Sequence, residues 1–432
     1  MRFVLIICFL ATTVSSAVCQ AKGNSPQTTP PANAAQSVAK PAKKLTAPKL
    51  TGSKLTKEQQ FILQTVQSAV ALSQPDPQDR LRVLSSAAQV TSTISGKYAA
   101  QLAKEGVQLE ASMVANGQTP AVSIMASGYA DCPSMKAFAD QLDPKFLMSA
   151  EQSLIGAITK CPKATLEIVR QRTDAALEQG IIAPRLLMAL MERTGAESPW
   201  TQERFIRLFS GLPDASRETS AQAAPDYAAM YASFAGKVGK DVARSTGVKM
   251  LTWLNKLEAT PLRSMAINIT ASGLEQALGK EKYQELLSAD VIVRQVVESK
   301  GPPGEIEPAA EESASVLQAM GGSGTEQQAD LRQLPASLRA REAAAHGFAR
   351  GIAKDRDSAS SFFDMAFSAA DEAWGKRADI KDAAGIIEEV CEAAAQVDAL
   401  DALRRAQHLE DLTAQAIGMI AVARVVAGRD AQ

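Results

Sequence analysis

The strongest constraint in this chain is a helical hydrophobic period that restarts after almost every proline or glycine. No convincing alternating stretch of five or more residues reads as a strand. Phe205, Leu208, Phe209 and Leu212 fall at i, i+3, i+4 and i+7, which is one face of a helix. Phe61, Leu63, Val66, Val70 and Leu72 begin an earlier segment; Pro75 and Pro77 interrupt it, and Leu81, Val83, Leu84, Ala88 and Val90 restart it. A third runs from about Lys97 to Gly117. Further helices are predicted near 134–142, 148–160, 163–179, 184–194, 200–210, 226–236, 239–258, 262–278 and 281–299. After a break they resume near 336–354, 358–375, 379–398 and 400–427. Gly180, Pro184, Gly195, Pro199, Pro213, Pro225, Pro261 and Gly279 punctuate them. Ser198-Pro199 and Thr260-Pro261 place a capping residue before a proline at the first helical position. The expected fold is all-α, an array of antiparallel helix pairs resembling an α-solenoid.

Two stretches divide this array. Residues 22–56 carry Lys22, Lys40, Lys43, Lys44, Lys49 and Lys54, no acid, and little to bury. They read as a disordered linker, either a plain spacer or an electrostatic tether to an anionic envelope. Residues 301–335 contain Gly301-Pro-Pro-Gly304 and Gly321-Gly-Ser-Gly324, with acidic Glu305, Glu307, Glu311 and Glu312 and room for a short helix between Ala309 and Met320. They are expected to separate a helical domain at 57–300 from a C-terminal helical-repeat domain at 336–432. Residues 349–356 echo residues 423–430, 74 positions later, and 69–76 is a looser copy. That spacing suits two helix-pair units. In texture, 61–94 and 336–432 resemble exported bacterial helical-repeat proteins of the tetratricopeptide or HEAT kind. The Trp, Leu-Gly and Tyr positions of the tetratricopeptide pattern are not matched, so the resemblance carries no site residue onto this chain.

The N-terminus supplies an address. Met1-Arg2 precedes an apolar run from Phe3 to Val14, followed by small residues and possible cleavage points after Ala17 and Ala21. Residues 1–21 are thus expected to be a secretory signal peptide. No later stretch reaches about 18 uninterrupted apolar residues, so no transmembrane segment is expected after cleavage. Bulky Val18 before Cys19 departs from the lipoprotein pattern. Of five cysteines, Cys132, Cys161 and Cys391 then remain. Cys132-Pro133 and Cys161-Pro162 sit at predicted helix boundaries, where they could form a disulfide staple or stay reduced and packed. Cys391 reads as a small buried hydrophobe.

Chemistry is harder to find. A net charge of −1 offers no field for nucleic acid. The two histidines, His346 and His408, have no partner His or Cys at helical spacing, so no metal site is expected. No Gly-x-Ser-x-Gly elbow occurs, and Ser37-x-x-Lys40 lies in the linker. Gly273 to Lys280 is a phosphate-loop pattern with one residue too many, and no cofactor is implied. Glu197-Ser198, Glu298-Ser299 and Glu312-Ser313 lack the segment that follows the muramidase pair. Glu151 reads as a first-turn acid on its own helix dipole. Tyr227 and Tyr231, at i and i+4, with Trp253, form either a stacking groove for a sugar or peptide or ordinary helix packing. The expectation is an exported, non-catalytic scaffold that binds a protein or cell-envelope component. The alternative is an envelope hydrolase built from carboxylates on distant helices, such as the Glu388-Glu389 or Glu311-Glu312 pairs.

Overall fold

The computed structural model describes residues 55–195, 198–299, 331–380 and 382–430. The predicted signal peptide, nearly all of the 22–56 linker, and most of the 301–335 boundary lie outside them, as do Glu197, Glu311 and Glu312. The described residues form eighteen α-helices and one short 3-10 turn, with no strand among them. The N-terminal helices are α1 (Lys57–Ala71), α2 (Pro77–Ser92), α3 (Gly96–Ala115), α4 (Cys132–Gln141), α5 (Glu151–Lys160) and α6 (Pro162–Glu178). Then come α7 (Pro184–Thr194), α8 (Pro199–Ser210), α9 (Glu218–Ala235), α10 (Lys240–Asn255), α11 (Pro261–Leu278), α12 (Lys280–Ala289) and α13 (Val291–Glu298). The last five are α14 (Ala336–Ile352), α15 (Arg356–Gly375), α16 (Ala383–Val397), α17 (Ala399–Ala406) and α18 (Leu412–Asp430).

Local chemistry explains most of the boundaries. Helices α2, α6, α7, α8 and α11 each begin with proline, whose missing N–H would have no helical partner at that position anyway. Thr56 and Gln59 form a reciprocal capping box on α1. Thr260 accepts the Arg263 N–H at 3.2 Å, whereas Ser198 makes no side-chain cap. Three boundaries differ from the sequence reading. Helix α9 continues through Pro225, although a proline there leaves the carbonyl four residues earlier without its helical donor. Ala224, Tyr227, Ala228, Tyr231 and Phe234 on either side of the proline are buried, and that packing keeps the helix continuous across the gap. The predicted helix at 281–299 is two helices, because the Asp290 carboxylate caps a new start by accepting the Val293 N–H at 3.0 Å. The predicted helix at 400–427 is also two, with Asp411 accepting the Thr413 and Ala414 N–H groups.

Three hydrophobic clusters form the interior. The first joins α1, α2 and the start of α3 to α14 through α18. Helices α1 and α2 pack directly on α18, so the first and last helices of one compact unit share a core. A strictly open repeat array joins only neighbours, and the residues on either side of 301–335 are not separate here. Helix α18 lies at the centre of this cluster. Leu412–Arg429 is long and apolar enough to cross a membrane, with a mean hydropathy of 1.2, but 61% of that window is buried inside the protein. The second cluster draws on α7 through α13, and the third on Leu81 of α2 and on α3 through α7.

Candidate functional site

The aromatic residues singled out from the sequence are core. Tyr227, Tyr231 and Trp253 are only 5%, 0% and 7% exposed. The i, i+4 spacing on α9 puts both tyrosines on the face that meets α8 and α10. The Tyr231 ring lies 6.1 Å from Phe205 and edge-on to Phe209 at 5.7 Å, and its hydroxyl donates to the Ala243 carbonyl at 2.7 Å. Gly247 leaves room for it, since a Cβ there would fall 2.4 Å from the phenol oxygen. Trp253 packs on Tyr227 at 5.8 Å and donates its indole N–H to the Pro213 carbonyl at 2.7 Å. Burial pushes the Tyr227 phenol up to about 12, helped by nearby Asp226 and Glu151. The stacking-groove reading is therefore corrected to packing. Tyr231→Phe should lose about 1 kcal/mol in guanidinium unfolding, the worth of one neutral hydrogen bond. An unchanged midpoint would contradict this account of the hydroxyl.

The structure joins Cys132 to Cys161 by a disulfide, with Cα atoms 5.5 Å apart, tying the first turn of α4 to the start of α6. Beside it, Lys160 donates to the carbonyls of Gly128 and Ala130. Cys391 is unpaired and buried against α18, and burial pushes its thiol far up. His346 stacks on Phe362, and its burial lowers its basicity. Among the described residues, no group of three or more His, Cys, Asp or Glu is placed to hold a metal ion.

The carboxylates raised above their ordinary range sit on separate elements, each with its own local setting. Burial raises Glu110 despite hydrogen bonds from Ser123, Ser153, Met125 and Ile124. Burial also raises Glu151, which stands in the first turn of α5 as expected and serves a second helix too. It accepts the Arg185 and Leu186 N–H groups at 2.9 and 3.1 Å, capping α7, whose own N-cap residue Ala183 has no acceptor. Burial raises Glu392 against the pull of Arg424, which donates to it at 2.8 Å and to Glu388 at 3.2 Å. Glu389 instead binds Arg341. Asp79 is raised by burial and then by Asp76, against Arg377 and Arg82. Trp200, which the sequence reading passed over, bridges the second and third clusters. Arg170 and Arg204 lie over its ring at 4.9 and 5.5 Å, and its indole donates to Asp174 at 3.1 Å.

A groove of about 560 Å³ that the sequence reading did not identify lies between α10 and the end of α12. One wall is the α10 face of Asp241, Arg244, Ser245, Val248 and Lys249, at i, i+3, i+4, i+7 and i+8. The other is Leu286 and Ala289 at the end of α12, then Asp290 at the break before α13. Val291 and Ile292, which follow Asp290 at the start of α13, are 50% and 52% exposed. Lys249 reaches across to the Ser210 hydroxyl of α8 at 3.0 Å. Ser245 donates to the Val242 carbonyl of its own helix, so its hydroxyl is not paired with a base. The groove thus offers an apolar floor and charges of both signs, a combination suited to recognition. The sequence signal that could have pointed to it, a capping Asp290 inside the run 281–299, is masked by the hydrophobic period. Comparison with known proteins gives no match to a family model, a curated protein or a solved structure.

Proposed function

We propose that this protein is an exported, non-catalytic scaffold of paired helices that binds a protein of the cell envelope in the groove between α10 and α12–α13. The observation that carries the reading is the apolar lining of Val248, Leu286 and Ala289, rimmed by Arg244, Lys249 and Asp241, with Val291 and Ile292 exposed directly after the lining residue Asp290. An amphipathic helix laid along such a floor would bury its apolar face while its flanks meet the charges. The Cys132–Cys161 disulfide supports export, because such bonds persist in oxidising compartments.

The test places a photo-crosslinking amino acid at Ser245 in the full chain, in the cell that produces it. A single discrete adduct is expected, and Ile292→Glu should weaken it at least about tenfold by setting a charge on the apolar surface. No adduct, or one indifferent to Ile292→Glu, would overturn the groove as the binding surface. N-terminal sequencing of the same protein should begin at Val18 or Lys22; an intact Met1 counts against export.

A further inference from the structure

A second, smaller cavity of about 170 Å³ lies between α15 and the 405–409 turn at the end of α17, on helices that do not line the groove. Phe367 and Leu409 are apolar and buried there, and Asp364, Ser368, Asp371 and His408 supply polar groups. Arg405 lines the cavity as well, its guanidinium 5.9 Å from the Phe367 ring centroid. It donates to Asp364, to Asp401 at 2.6 Å and to Ser360 at 3.0 Å, and forms no ion pair with Asp371.

Asp371 is half-buried. Its Oδ1 accepts the Glu410 N–H at 3.1 Å, and its Oδ2 accepts nothing from the described residues. The charges that act on it are Glu410 and Asp411, both anionic. Arg404 is occupied with Asp401, and Glu372 of α15 with Arg339 and Lys376. Asp371 is therefore a partly desolvated carboxylate among like charges, lacking a cation. The Nδ1 of His408 lies 2.7 Å from the Arg404 carbonyl. A carbonyl can only accept, so Nδ1 carries the proton and Nε2 of the neutral ring is an acceptor. Asp371, Ser368 and His408 line the cavity together with Phe367 and Leu409, and the Asp371 Oδ2, the Ser368 hydroxyl and the Nε2 of a neutral His408 ring can each accept a hydrogen bond.

The geometry points to a site for a primary alkylammonium group, its three N–H donors meeting these acceptors and its methylene stem lying along Phe367 and Leu409. A lysine side chain of a partner polypeptide and a free diamine share this chemistry.

The probe is n-butylammonium, titrated into the full chain while the ring resonances of its two histidines are followed by NMR. His408 should shift saturably while half-buried His346, stacked on Phe362 outside the cavity, stays still. Tetramethylammonium, which has no N–H, should move neither. Asp371→Asn keeps the acceptor for the Glu410 amide and should weaken binding about tenfold or more, the worth of a hydrogen bond to a charged group. Ser368→Ala, at an exposed position, should weaken it several-fold. Tighter binding of a lysine-bearing peptide than of 1,4-diaminobutane would identify the source as a polypeptide, and the reverse order a free amine. The proposal fails if butylammonium gives no saturable shift, if tetramethylammonium binds equally, or if folded Asp371→Asn binds as wild type does.

Discussion

Replacing Glu110 with alanine should cost roughly 3–5 kcal/mol of stability, while glutamine at the same position should stay within about 1 kcal/mol of wild type. Glu110 is fully buried on α3. Its Oε2 accepts the Ile124 and Met125 N–H groups at 3.1 and 3.4 Å, and its Oε1 accepts the Ser153 hydroxyl at 2.5 Å. It therefore fastens the irregular stretch between α3 and α4 to α5. A Cβ on Gly156 would lie 2.5 Å from the Ala126 Cα, so α5 already touches the backbone of that stretch. Alanine would leave a cavity and two buried amides without an acceptor. Glutamine keeps both arms, with its carbonyl accepting from the amides and its NH₂ donating to Ser153.

The same pair of variants carries a pH signature. Burial raises the Glu110 carboxyl above its ordinary value of 4.5. Between that value and the raised one, the folded state holds more protons than the unfolded state. Stability contributed by this group is thus fully present below the ordinary value and is lost as pH rises through the folded one. Glu151, Glu392, Asp79 and Asp371 are raised as well and slope the same way, so the informative quantity is wild type minus Glu110→Gln. Urea unfolding at a series of pH values should show that difference falling with pH across the window. A flat difference, or a fully stable alanine variant, would contradict this role.

Removing the Cys132–Cys161 bond should cost roughly 3–4 kcal/mol by the chain-entropy estimate for a loop of this length. The bond spans 29 residues, from α4 to the start of α6. Cutting it frees the unfolded chain more than the folded one, because Lys160 and Glu110 still hold the neighbouring backbone. The double variant Cys132→Ala with Cys161→Ala suits the test, since Cys161 is buried and a serine would place a hydroxyl there. A reductant should lower the wild-type midpoint to the variant's level and leave the variant unmoved. Cys391 is buried only in the folded state, so both backgrounds carry Cys391→Ala to keep its thiol out of exchange in the unfolded chain. A loss below about 1 kcal/mol would mean that packing alone holds α4 and α5 in place.

The legibility of this protein in its sequence divides by the distance over which each interaction acts. The helices were readable because their causes are local. Prolines at first positions, Thr56 with Gln59 and Thr260 with Arg263 all act within one turn. The breaks at Asp290 and Asp411 rest on caps just as short, but the hydrophobic period runs through them and masks them. Periodicity placed Tyr227 and Tyr231 on one face and could not say whether solvent or another helix would meet it. Tertiary packing covered that face with α8 and α10, making core of what could have been a binding surface. The cysteines stood at the right boundaries, yet only the approach of α4 to α6 decides that they bond. Glu110 acts on residues 14, 15 and 43 positions away, and no local pattern announces that. The groove likewise joins Val248 to Leu286, and the small cavity joins Asp371 to His408. Backbone propensity and capping are settled among residues a few positions apart, so one sequence suffices to read them. Which side chains share a cavity depends on how whole helices cross, and only the folded chain fixes that.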